Sequence, residues 1–165
     1  MKTTNSSELF SCQPFYLSEK KNKVILTPVV KKLVTQNRGA ILSKDLDEVT
    51  RLLNLYIEGA GKGNADKLNE AFHASARWFG TMGGVDYDVD KAGFVALMVE
   101  SPADGGELKA EITDIRIDGT VAMATVKEEN FWGTLSFTDY FTLSVLDGKW
   151  QITNKTFAHT GGEHA

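Results

Sequence analysis

A chain of 165 residues, 42% of them hydrophobic, is long enough for one domain with its own core. Its net charge of -4 gives no overall pull toward nucleic acid, and no apolar run reaches the roughly 20 residues needed to cross a bilayer. The charge is uneven: residues 1–44 hold eight Lys or Arg against two acids, while residues 45–165 hold ten against twenty. That asymmetry predicts a basic, partly disordered arm over 1–43, a domain over 44–160 and a loose tail over 161–165.

Residues 1–23 are polar and without period. Residues 24–34 are apolar but interrupted by Pro28, Lys31 and Lys32, so they suit a strand or a short helix after Pro28. Residues 36–40 read as a linker. Cys12 is the single cysteine, which excludes an intrachain disulfide and, with no leader-like apolar segment, favours a cytoplasmic location. Asp45 and Glu48 fit a capping box. Leu46, Val49, Leu52, Leu53, Tyr56, Ile57 and Ala60 then recur at helical spacing. A second helix is predicted over 66–73, a strand over 77–81, a turn at Gly83-Gly84 and a weak strand over 85–89. A third helix fits 90–100. The rest is strand-rich: 107–117, 121–128, 134–145 and 149–157, with Asp118-Gly119 and Asp147-Gly148 as hairpin turns. Helices first and long strands after give an α+β chain.

The last hairpin carries an anomaly. One face of its first strand presents Phe137, Asp139, Phe141, Leu143 and Val145, so an acid points the same way as four apolar side chains. Such a carboxylate must be paired, hydrogen-bonded, protonated or lining a cavity. Lys155 and His159 share a face of the next strand with Phe157, and Lys155 is placed to pair with Asp139 across the sheet. Tyr56 lies on the buried stripe of the first helix, where its hydroxyl needs a partner. His73 ends the predicted second helix, suited either to capping or to proton transfer.

Other patterns lead nowhere. Gly59-Ala60-Gly61-Lys62-Gly63 lacks the spacing of a phosphate loop and follows a helix rather than a strand. His159, Glu163 and His164 sit in the tail and make a poor metal site, so no metal and no cofactor are expected.

The segments LNLYIEGAGKGNADKLNEAFHASA at 53–76, ITDIRIDGTVAMATVKEE at 112–129 and FTDYFTLSVLDGKWQITNKTF at 137–157 resemble the nuclear-transport-factor-2-like superfamily, the cystatin-like cone fold. Within it they are most similar to the bacterial group labelled lumazine-binding and polyketide cyclase-like. Ala74 departs from the Pro that commonly follows the family's Phe-His pair. The resemblance implies a strongly bent antiparallel sheet with three N-terminal helices forming a cone, and homodimers through the sheet. It also implies an apolar small-molecule pocket, for which Trp78, Phe79, Met98 and Trp132 are lining candidates beside Lys155 and His159. The expected function is binding of an apolar small molecule, with cofactor-free acid–base chemistry of the isomerase, dehydratase or cyclase type. Asp139 would be the base, and Tyr56 or His73 would stabilise the oxyanion. The alternative is a non-catalytic dimeric interaction module with no open pocket. Neither nucleic acid nor membrane is an expected partner.

Overall fold

The structure, a computed structural model, describes residues 28–163. Most of the basic arm, with Cys12, lies outside the described residues. Helix α1 runs without interruption over Pro28–Lys62, through the stretch expected to be a linker. Pro28 suits a first helical position, where its missing N–H costs nothing. Beyond it no proline intervenes, and Gly39 weakens a helix by only about 1 kcal/mol. Because the helix starts so far upstream, Asp45 is not a cap. Its carboxylate instead accepts a 3.0 Å hydrogen bond from Trp150 Nε1, fastening α1 to the last strand. Val49, Leu52, Leu53, Tyr56 and Ala60 are buried, as the helical spacing predicts, but Leu46 is exposed and Ile57 only half-buried.

Helix α2 is Ala65–Ala71, capped by Asn64, whose side chain accepts from the Lys67 amide. It packs close to α1 at Gly59, where an added Cβ would lie 2.8 Å from Leu68. Strand β1 (Phe72–Met82) follows directly, so the second helix ends two residues before His73. β2 (Val85–Asp90) returns antiparallel and hands over to α3 (Lys91–Glu100), capped by Asp90 on the Gly93 amide. Lys91 Nζ donates to the Asn69 and Phe72 carbonyls at 2.8 Å each, closing the C-terminal end of α2. A meander of β3 (Asp104–Asp118), β4 (Val121–Phe131), β5 (Leu135–Leu146) and β6 (Lys149–Gly161) completes the chain, and β6 continues into the expected tail. Asp147 and Gly148, at φ 50° and 75°, both take the left-handed conformation that a two-residue hairpin turn requires.

The six strands form one curled sheet in the order β2-β1-β6-β5-β4-β3. It is mixed rather than wholly antiparallel, because β1 pairs with β6 in parallel. The chain crosses by α3 from β2 to the far edge, β3, and the meander then works back to β1. α1 packs over β3 and β6, and α3 over β1 and β2. The helices thus roof the concave face, which is the α+β cone arrangement.

A bulge in β6 sets the site. Thr142 pairs with Asn154, but Leu143 pairs with Ile152, leaving Thr153 as the extra residue. The bulge reverses the alternation of β6. Trp150 and Ile152 are buried before it, and Lys155 is buried after it. Were Thr153 paired in regular alternation rather than bulged, Asn154 would face inward in place of Lys155.

Candidate functional site

Four polar side chains meet beneath α1. Asp139 on β5, Glu128 on β4 and Lys155 on β6 occupy diagonal positions on the concave face, and Tyr56 reaches down from α1. Asp139 and Tyr56 are 0% exposed, Glu128 1% and Lys155 5%. Lys155 Nζ lies 2.6 Å from Asp139 Oδ2 and donates to the Tyr56 hydroxyl at 2.7 Å. The Tyr56 hydroxyl donates to Asp139 Oδ2 at 2.7 Å and lies 3.3 Å from Glu128 Oε2. A hydroxyl has one proton, so with Asp139 taking it, a bond to Glu128 requires a proton on the glutamic acid.

That proton is in place at neutral pH. Burial, and then the negative charge of Asp139, push the Glu128 carboxyl up to about 8. Burial and the same two acids hold the Tyr56 hydroxyl well above its ordinary value, so it stays neutral. A protonated Glu128 adds no charge to the Lys155–Asp139 ion pair. Asp139 Oδ1 and Glu128 Oε1 have no hydrogen-bond partner among the described residues.

Against this cluster stands a cavity of about 70 Å³. Trp78, Phe94, Met98, Trp132, Phe137 and Phe157 form much of its wall, and among the described residues Lys155 is the one charged side chain lining it. The indole of Trp78 stacks on Phe94 at 4.4 Å. Trp132 is held in place by Nε1 donating to the Ser101 carbonyl at 2.9 Å. Lys155 Nζ lies 4.8 Å from the Tyr56 ring centre, 5.6 Å from Phe94 and 5.7 Å from Phe157, within range of cation–π attraction. Trp78 Nε1 is buried with no acceptor among the described residues. Two buried N–H groups, on Lys155 and Trp78, therefore belong to residues of an otherwise apolar wall.

Of the residues singled out from sequence, Asp139, Tyr56 and Lys155 come together, and Trp78, Met98 and Trp132 line the cavity with Lys155. His73 stands apart. It follows the buried Phe72 on β1 and turns the other way, its Nδ1 accepting from the Ser75 amide at 3.1 Å. Phe79 lies on the outer face, 39% exposed, beneath the Arg77 guanidinium. His159 borders a separate depression beside Met82, Val85 and Leu135, with Nε2 2.8 Å from the Gly161 carbonyl. Glu128 went unrecognised. Its signal was the one that exposed Asp139: Ala122, Ala124, Val126 and Glu128 continue one buried face of β4.

Residues 44–158 match the family described as "Putative lumazine-binding". The chain belongs to that family. Its fold is NTF2-like, as solved structures similar to it show. An NTF2-like protein of unknown function from Methylobacillus flagellatus KT is 36% identical, with a TM-score of 0.63 over 72% of this chain and 94% of that one. Another from Shewanella baltica OS155 is 26% identical, with a TM-score of 0.66 over 73% and 97%. Among curated proteins, Aldolase FrzH from a Cladobotryum species is 27% identical across 71% of this NTF2-like chain and 93% of its own length. No helix among the described residues is long and apolar enough to cross a membrane.

Proposed function

We propose that this domain binds an apolar small molecule bearing a carbonyl oxygen and promotes proton transfer beside that carbonyl without a cofactor. The observation that carries this reading is the placing of Lys155, the one residue shared by the cavity and the buried cluster. Two of its three donors are taken by Asp139 and Tyr56, which leaves one for a ligand. The polar groups that a ligand would meet at Lys155 and Trp78 are donors, which favours an acceptor. The neutral cluster favours an uncharged carbonyl over a carboxylate.

Asp139 has a different part here from the base expected from the sequence. It is buried behind Lys155, and its carboxylate holds that side chain in place at 2.6 Å. Lys155 then stabilises negative charge developing on the carbonyl oxygen, as in an enolate formed when a water molecule admitted with the ligand takes the proton from the neighbouring carbon. Aldol reactions, and isomerisations, dehydrations and cyclisations that begin by removing a proton next to a carbonyl, pass through such a species, and the aldolase-named relative adds support to this class.

The test compares acetophenone with ethylbenzene, which has similar shape and no oxygen, by titration calorimetry. Lys155→Met should weaken acetophenone by about tenfold or more and Lys155→Arg by less, with ethylbenzene weakened less than acetophenone in both. Equal affinity of the two probes for the unaltered protein would defeat the reading.

A further inference from the structure

We infer that Lys155 is a covalent nucleophile, forming an iminium with an aldehyde or ketone held in the apolar cavity. The inference rests on the carbonyl reading above and extends it from a hydrogen bond to a bond. An amine in an apolar wall meets little competing water, and imine formation expels water. Lys155 is 5% exposed, and its Nζ is flanked by the Phe94 and Phe157 rings.

The buried cluster supplies what the reaction needs. An ammonium has no lone pair, so one proton must leave before attack. Asp139 Oδ2 at 2.6 Å accepts it, and the ion pair becomes a neutral amine beside a neutral acid. The amine lone pair then forms the C–N bond as the carbonyl π pair moves to oxygen. The oxygen takes the proton back from Asp139, through the Tyr56 hydroxyl 2.7 Å from Nζ or through Nζ itself. A second nitrogen proton follows the same route, the C–O bond breaks, and water departs. The third proton stays on nitrogen. Overall, the ammonium and the carbonyl give a protonated iminium and water, with no net gain or loss of protons. The positive charge also ends where it began, opposite the Asp139 carboxylate, so the buried pair is never left unbalanced. Glu128, at the opposite side of Tyr56, keeps its own proton throughout and holds the second carboxyl neutral.

Such an iminium withdraws electrons from the adjacent carbon far more strongly than a hydrogen-bonded carbonyl does. The class of ligand is therefore an uncharged aldehyde or unhindered ketone with an apolar body, and the class of reaction is carbon–carbon or proton chemistry next to that carbon.

Benzaldehyde with sodium cyanoborohydride at neutral pH tests this on the full chain, read by intact mass and peptide mapping. The reductant converts the iminium to a stable benzyl amine. Lys155 should be benzylated first and at limiting aldehyde, ahead of the exposed lysines such as Lys109 and Lys127. Lys155→Arg, which keeps the charge, should lose this early adduct only. Benzylation of Lys155 no faster than of Lys109 overturns the covalent step. If acetophenone still binds in preference to ethylbenzene in that case, the hydrogen-bonding role of Lys155 stands alone. If neither probe is distinguished, both readings fall together.

Discussion

At the floor of the cavity four polar side chains are locked to one another, while at its rim aromatic rings and the Met98 thioether meet a ligand with no charge of their own. Lys155 alone belongs to both regions. The two respond differently to change. On the floor, Glu128 and Tyr56 hold their protons because of burial and their neighbours, so a substitution there alters protonation as well as shape. At the rim, a substitution alters shape and little else. The comparison predicts large, pH-dependent effects below and small, pH-independent ones above.

The largest effect should follow Lys155→Met. It leaves Asp139 buried with no cation, which costs about 3–5 kcal/mol when one partner of a buried pair is removed. Chemical denaturation of the two proteins at neutral pH should show the loss. Adding Asp139→Asn should restore much of the stability. A loss below about 1 kcal/mol, the size expected of a surface pair, would mean that floor and rim are not distinct in the sense argued.

Glu128 gives the next effect, a slope rather than a step. Its folded pKa is raised from the ordinary 4.5 to about 8, so the folded chain keeps a proton that the unfolded chain releases. The stability it contributes is full below the unfolded value. It declines as pH rises through the interval between the two values and is gone above the folded one. The slope reaches at most about 1.4 kcal/mol per pH unit. Glu128→Gln keeps the shape and a donor toward the neighbouring carboxylate but cannot titrate. The difference in melting temperature between the two proteins should therefore change steadily between acid and mildly alkaline pH. Parallel curves would show that Glu128 is ionised in the folded state.

How much of this was legible beforehand follows the same division. Periodicity located α3, the strands and the closing hairpin, because burial acts on every residue of an amphipathic element. Asp139 and Tyr56 announced themselves as polar groups on apolar stripes. Glu128 sent the same signal on β4 and was passed over, since it lies in the run Lys127-Glu128-Glu129-Asn130, which reads as solvated. The inward turn of Lys155 depends on the bulge at Thr153. No residue pattern marks that bulge, because it is a property of two paired strands rather than of one. The long α1 was hidden for another reason: a polar stretch with one glycine is compatible with either linker or helix, and only the continuation decides. The parallel join of β1 to β6 is likewise a matter of topology, which local pattern does not carry.

The smallest effect should come from the rim, at Gly80. This residue pairs with Phe157 across β1 and β6, and the ring lies over its backbone, so a Cβ would sit 2.6 Å from ring atoms. Phe157 is braced by Phe137 at 5.7 Å and Tyr87 at 5.9 Å between ring centres, which limits its retreat. Gly80→Ala should force the ring toward the cavity. The overpacking costs about 1–3 kcal/mol, toward the low end because one ring can tilt. Acetophenone and ethylbenzene should weaken together, since space is lost and no donor is touched. The pH profile of stability should match that of the unaltered protein, because Phe157 has no titratable group and the Lys155–Asp139 pair is intact. If Gly80→Ala instead shifted the pH dependence, ring position and buried protonation would be coupled through Lys155, and rim and floor would have to be treated as one unit.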